Sequence, residues 1–164
     1  MSAAIGLDEL LDYSDHERAK WNEWVDADPG RLQLPFQAGG RFPTFGSLLD
    51  HVFLVERRHL ARLEGAAPPD STGIATGDWK RLWDYATLVR AELRRYIADL
   101  DPEVGTGTLT FSVQTGTLTM TRRKLAAHIL MHEVRHLAQL AYAARTAGLE
   151  PPGTHDLLYF AELA

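Results

Sequence analysis

Four stretches of this 164-residue chain repeat apolar residues in steps of three and four, and this period constrains the fold more than any other feature. An α-helix places such residues on one face, which must then be buried against another element. The period therefore predicts an all-α four-helix bundle formed by a single domain over residues 1–164. The predicted helices run from Leu7 to about Ala27, from Phe45 to a stop at Gly65, from about Gly77 to Leu100 and from about Thr121 to Thr146.

The segments between the first three helices break this period. Residues 31–42 contain a Gly-Gly pair and no sustained pattern, so we predict a loop there. Residues 66–75 are rich in Pro, Gly and Ser, which is typical of a connector. Thr44 precedes the second helix directly and is its predicted N-cap, because a threonine hydroxyl can accept from the free amides of a first helical turn.

The period changes before the last long helix. Gly107–Phe111 and Gly116–Met120 alternate threonine with apolar residues, which predicts a short β-hairpin. A single hairpin is only marginally stable alone, so we expect it to pack against the bundle. After the last long helix, Thr154 is the predicted cap of a short closing helix from His155 to Leu163.

Charge and residue usage exclude several classes of function. The net charge of -5 argues against nucleic acid as the main partner, because affinity for phosphate backbones comes from clustered Lys and Arg. The absence of cysteine excludes disulfides, thiolate metal ligands and a cysteine nucleophile. The chain has no run of 18 apolar residues and begins with an acidic segment, so we expect a cytoplasmic protein without a membrane partner.

The last long helix concentrates the histidines. His128, His132 and His136 are spaced four apart and form a ladder up one side of the helix, and His51 borders the apolar face of the second helix. One interpretation is a metal site in which two rungs and a histidine from another helix bind one ion and leave a position open. The other is a polar stripe in the core of the bundle. The spacing alone does not separate the two.

Two glutamates are candidates for a general base, Glu56 and Glu133. Glu56 lies about 140° around the helix from His51, and Glu133 is one step off the ladder, so we favour an exposed or structural role for both. Glu133 follows His132 as in the H-E-x-x-H signature of metalloproteases. We interpret His132 and His136 as an H-x-x-x-H ligand pair instead, and expect no protease chemistry.

Two groups of residues resemble the site features of the DinB/YfiT-like superfamily: Leu49-Asp50-His51 with Glu56, and the ladder through Gln139. The resemblance extends over nearly the whole length of the chain, through the aromatic first helix (Tyr13–Trp24), the second helix (Phe42–Gly65) and the closing segment (Asp156–Tyr159). The resemblance implies a bundle of unusual connectivity, often a homodimer. It also implies a divalent metal ion on His51, His132 and His136, with zinc and nickel as the favoured ions. His128 would support the site or line its pocket, and Gln139 would be a hydrogen-bonding neighbour. Many members have His-Arg-Gly-Gln where this chain has His-Leu-Ala-Gln from His136, which leaves the role of that Arg and Gly open here.

The resemblance also implies a choice of functions. Members include metal-dependent transferases that act with mycothiol, bacillithiol or glutathione, an isomerase that uses such a thiol, and hydrolases. Our first hypothesis is transfer of a low-molecular-weight thiol to a small electrophile. The alternatives are hydrolysis by metal-activated water and a non-enzymatic metal- or ligand-binding role in stress.

Overall fold

The computed structural model describes residues 5–37 and 40–160 of the chain. Its described part contains five α-helices, one two-stranded antiparallel sheet and two short 3-10 helices. The α-helices are α1 (Leu7–Asp26), α2 (Phe45–Glu64), α3 (Trp79–Ala98), α4 (Pro102–Thr106) and α5 (Arg122–Thr146), the strands are β1 (Thr108–Val113) and β2 (Gly116–Thr121), and the 3-10 helices are Pro29–Gln33 and Leu157–Tyr159.

The four long helices confirm the predicted bundle, and side chains at their ends explain where they begin and stop. The Thr44 hydroxyl accepts from the Ser47 amide at 3.2 Å, as its N-cap assignment predicts. Gly65 ends α2 in the left-handed region at a φ of 74°, which glycine adopts without steric cost. Thr121 caps α5 through the Lys124 amide. None of the described helices combines the length and the apolar character that a membrane crossing requires.

The predicted hairpin is also confirmed. β1 and β2 pair in antiparallel register, with Thr108 opposite Thr121. One face of the hairpin carries Leu109, Phe111 and Met120, which pack against the core of the bundle. The expected packing against the helices is therefore what gives this small sheet its support.

Three short elements differ from the prediction. Residues Pro29–Gln33 form a 3-10 helix that buries Leu32, although most of this segment was predicted as loop. The five residues of α4 were not predicted, because one helical turn is too short to show a period. The predicted closing helix from His155 is wrong within the described residues. Only Leu157–Tyr159 forms a 3-10 turn there, capped by Asp156 and not by Thr154, and residues 161–163 of the prediction lie outside the described residues.

The core consists of two apolar clusters at opposite ends of the bundle. We call them the Trp21 cluster and the Leu60 cluster. The Trp21 cluster contains Trp21, Val25, Leu32, Phe45, Leu48, Leu49, Val52, Phe53, Trp79, Leu82, Ala86, Leu137, Leu140, Ala141 and Ala144. The Leu60 cluster contains Leu11, Leu60, Leu63, Val89, Leu93, Leu125, Ala126, Ile129 and Leu130.

Cluster membership gives the direction of each helix. α2 and α3 begin in the Trp21 cluster and end in the Leu60 cluster, whereas α1 and α5 run the other way. The consecutive helices α2 and α3 are therefore parallel, and residues 65–78 carry the chain back along the bundle between them. Both α1 and α2 pack against both α3 and α5, so the histidines of α2 and α5 are brought side by side.

Candidate metal centre

Three of the predicted histidines meet between α2 and α5. His51 of α2 lies opposite His132 and His136 of α5, and their candidate ligand nitrogens are all within 4.8 Å of one another. The Nε2 atoms of His132 and His136 are 3.1 Å apart. Two nitrogens bound to one tetrahedral zinc at about 2.0–2.1 Å would be about 3.3–3.4 Å apart. The donor set therefore fits a divalent metal ion with little movement of the α5 pair.

Gln139 fixes the orientation of the His136 ring. The Gln139 Oε1 atom lies 2.6 Å from His136 Nδ1, and an amide oxygen only accepts hydrogen bonds. Nδ1 therefore carries the ring proton, and Nε2 keeps its lone pair toward His132. Metal-binding histidines commonly have such a partner on the ring nitrogen that does not face the ion.

All three imidazoles are neutral at physiological pH. Burial, strengthened by His136 and His51, lowers the pKa of His132 to about 2. Burial, strengthened by His136 and Arg41, lowers the pKa of His51 to about 4. Burial also lowers the pKa of His136, although the hydrogen bond that His136 donates to Gln139 partly opposes it. A neutral imidazole is the form that binds metal, so the three lone pairs are available without loss of a proton.

Glu56 and Glu133, the two candidate bases, lie elsewhere, in a set of buried charges. We call this set the charged layer: Arg18 of α1, Glu56 of α2, Arg90 of α3 and Glu133 of α5. Arg18 donates to Glu133 at 2.7 Å and also pairs with Glu56. Arg90 pairs with Glu56 at 3.0 Å and with Glu133, and the Ser14 hydroxyl donates to Glu133 at 2.7 Å. None of the four charged side chains is more than 7% exposed.

The charged layer lies between the two apolar clusters. On α5, Glu133 falls between Leu130 of the Leu60 cluster and Leu137 of the Trp21 cluster. Glu56 holds the corresponding place on α2. Arg18 and Arg90 outweigh the effect of burial on Glu133 and lower its pKa to about 2, so this carboxylate stays ionised. The two glutamates thus neutralise two arginines in the interior.

The position of Glu133 argues against metalloprotease chemistry, which the spacing of the histidines does not exclude. The segment from His132 to His136 reads HEVRH, which satisfies the H-E-x-x-H signature in full, so the spacing gives no reason to set protease chemistry aside. In the structure, the Glu133 carboxylate faces arginines of α1 and α3, while the two histidines face α2. The glutamate that would act as the base of a metalloprotease is therefore committed to ion pairs.

His128, the first rung of the ladder, is outside the cluster of three. Its ring is exposed and lies 5.7 Å from the His132 ring. On its other side it meets the ring of His59, a residue that the sequence analysis did not single out, at 5.3 Å. His59 follows His51 by eight residues on α2, and this two-turn spacing was the available signal. Five histidines thus line the contact between α2 and α5.

Replacing His59 with leucine is expected to make the metal-free protein less sensitive to acid. Burial and the charge of Arg62 lower the pKa of His59 to about 3. The unfolded chain binds this proton near pH 6.5, so the unfolding free energy falls as the pH drops from about 6.5 toward 3. Urea denaturation should show a loss on the order of 1–2 kcal/mol between pH 7 and pH 5 that the variant avoids. An equal loss in both proteins would contradict this assignment.

The fold and this cluster define the class of the protein, a helical bundle with three histidines that could hold a metal ion. The sequence model of the DinB family matches residues 1–163. The chain belongs to the DinB family. No curated protein matches its sequence.

Proposed function

We propose that this protein holds a divalent metal ion on His51, His132 and His136 and uses it to transfer a low-molecular-weight thiol to a small electrophile. The observation that carries the proposal is a cluster of three neutral imidazoles, supplied by two helices and including no carboxylate. Zinc and nickel are the ions we favour, because both accept imidazole nitrogen readily. The homodimer and the cytoplasmic location stay predictions from the resemblance and the sequence.

The ligand set suits thiol chemistry. Three protein ligands leave a coordination position open, and an ion there would lower the pKa of a thiol that binds to it. The chain has no cysteine, so the reacting thiol would come from a small molecule. Gln139 keeps the His136 ring turned so that its Nε2 lone pair faces the site. These residues would hold and orient the reacting groups.

The charged layer favours transfer over hydrolysis. Hydrolysis by activated water is commonly assisted by a general base close to the ion. Glu56 and Glu133, the two candidates for that role, are paired with Arg18 and Arg90. A thiol, with an ordinary pKa near about 8.5, ionises near neutral pH once that value is lowered and can release its proton to solvent. Transfer therefore needs no general base, so the pairing of Glu56 and Glu133 with arginines does not prevent it.

A conjugation assay tests this function. The zinc- and nickel-loaded proteins are incubated with monobromobimane and, in turn, glutathione, bacillithiol and mycothiol. We expect one thiol to react at least 100-fold faster with metal-loaded protein than with metal-free protein, because ionisation of the thiol would depend on the ion. His51→Ala should abolish this acceleration, since it removes the only ligand from α2. No metal-dependent rate with any of the three thiols would exclude the transferase.

A further inference from the structure

Two arginine side chains flank the histidine cluster. Arg135 Nη2 lies 3.3 Å from His136 Nε2, at the edge of the cluster. The guanidinium of Arg41 lies 5.2 Å from the centre of the Phe42 ring, which in turn lies 4.5 Å from the His51 ring. In the described part of the chain, neither arginine forms an ion pair with a carboxylate, whereas the half-buried Arg57 pairs with Glu92 at 2.6 Å.

The charges of Arg41 and Arg135 act on the cluster itself. Arg135 lies beside His136 on α5, and Arg41 lies against Phe42, which contacts the His51 ring on α2, so positive charge lies beside both helices of the site. A third arginine, Arg58, also acts on His51, but its guanidinium donates to two backbone carbonyls of the connector after α2, at 2.6 and 2.7 Å. Arg58 therefore braces the connector, whereas Arg41 has no carboxylate partner in the described part of the chain. Arg135 donates to His136 Nε2 in the metal-free protein, and a metal ion on that nitrogen would replace this hydrogen bond and free the guanidinium for a ligand.

An apolar groove of about 700 Å³ adjoins the cluster. Gln139 lines this groove and also contacts His136, so the groove and the cluster share a residue. The loop before α2 supplies Phe36 to one wall, and α5 supplies Tyr142, which is 74% exposed, and Ala143. The histidines themselves do not line the groove, and Gln139 contacts His136 at Nδ1, so the groove begins just beyond the cluster along α5. A molecule that extends past His136 from the histidines would reach an apolar surface for a hydrocarbon or aromatic part.

We propose that the substrate of this site is a small carboxylate with an apolar body, its anionic group held by Arg41 and Arg135 and its body lying in the groove. The inference rests on the proposed function for the location of the site and adds the class of substrate. A divalent ion on three neutral imidazoles keeps its full charge, and two guanidinium groups add to it. An anionic ligand compensates this charge, and guanidinium groups bind carboxylates through strong, charge-assisted hydrogen bonds.

Isothermal titration calorimetry with a matched pair of probes tests the inference. The probes are 4-phenylbutyrate and its neutral amide, 4-phenylbutanamide, titrated into the zinc-loaded protein without thiol or electrophile. We expect the carboxylate to bind at least 10-fold more tightly than the amide. Arg41→Gln and Arg135→Gln should each weaken carboxylate binding about 10-fold and leave amide binding unchanged. Arg95→Gln is the matched control. Arg95 is exposed on α3, and its replacement removes the same charge away from the site.

The outcomes separate the substrate class from the reaction. Zinc content and circular dichroism of each variant show that the site and fold persist. Equal affinity for the two probes, or carboxylate binding that depends on zinc but on neither arginine, would overturn the inference. Arginine-dependent binding supports it even where the conjugation assay finds no transfer. If the protein transfers the thiol to neutral electrophiles only, the proposed transferase function holds but the inference of a carboxylate substrate is wrong.

Discussion

Replacing His132 with alanine should abolish binding of the proposed metal ion. His132 Nε2 lies 3.1 Å from His136 Nε2, and the loss of His132 leaves two ligands on different helices. Changes to residues that only support a ligand weaken metal binding about 10- to 100-fold, so losing a ligand should cost more than about 100-fold. Elemental analysis should find about one ion per chain in the parent protein and almost none in the variant.

His128→Ala is the matched control for this experiment. His128 lies on the same helix one turn earlier, its ring is exposed, and it is outside the cluster of three. The control variant should keep the metal content of the parent. Equal metal content in the parent and His132→Ala would remove the metal centre from this structure. A His132→Ala protein that no longer folds would instead indicate that the ion is structural.

Glu133→Gln is expected to cost about 3–5 kcal/mol of unfolding free energy, measured by urea denaturation, because it breaks a buried ion pair from one side. The variant leaves Glu56 as the only fully buried carboxylate beside Arg18 and Arg90, and the partly exposed Asp15, 3.3 Å from Arg90, as the other partner. Its metal content should nevertheless equal that of the parent protein, since Glu133 is not a member of the histidine cluster. A Glu133→Gln protein that loses its metal but keeps full stability would contradict the structural role of Glu133 and indicate a role in metal binding.

The exposed pair of Lys80 and Asp84, 2.8 Å apart, provides the control for a charge change alone. Asp84→Asn should cost less than about 1 kcal/mol, because exposed ion pairs contribute little.

A pH series of urea denaturation adds a second readout for Glu133. Its pKa of about 2 in the folded protein is below that of an unfolded glutamate, so its stabilisation is present above about pH 4 and disappears as the pH falls toward 2. This part of the acid sensitivity should be absent from Glu133→Gln.

The sequence predicted the elements of this fold well because their signals are local. Helical period and caps such as Thr44 depend on neighbours within a few residues, and the alternation in the hairpin does too. The single turn of α4 and the Asp156 cap are equally local but too short to show a period. The convergence of His51 with the α5 pair could be anticipated from the bundle architecture and the resemblance. The spacing alone does not show it, because it depends on which helices pack together.

The partners of the charged layer could not be predicted from any one segment. A trace of the layer is nevertheless visible in the sequence of α1, where Ser14 and Arg18 continue the helical stripe of Leu11, Trp21 and Val25. Polar residues at such positions indicate a buried polar contact. They do not identify Glu133, which is more than 100 residues further along the chain. The same limit applies to Arg135, whose place at the site depends on the approach of α2 to α5.

The charged layer also restricts how this sequence can diverge. Each of its four charges comes from a different long helix, and each pairs with two others, so a neutral replacement at any one position leaves an unbalanced charge in the interior. Exchange of all four for apolar residues would restore balance, but the intermediate sequences are less stable than either end point. We expect proteins that descend from this one to keep the four residues together or to have lost them together.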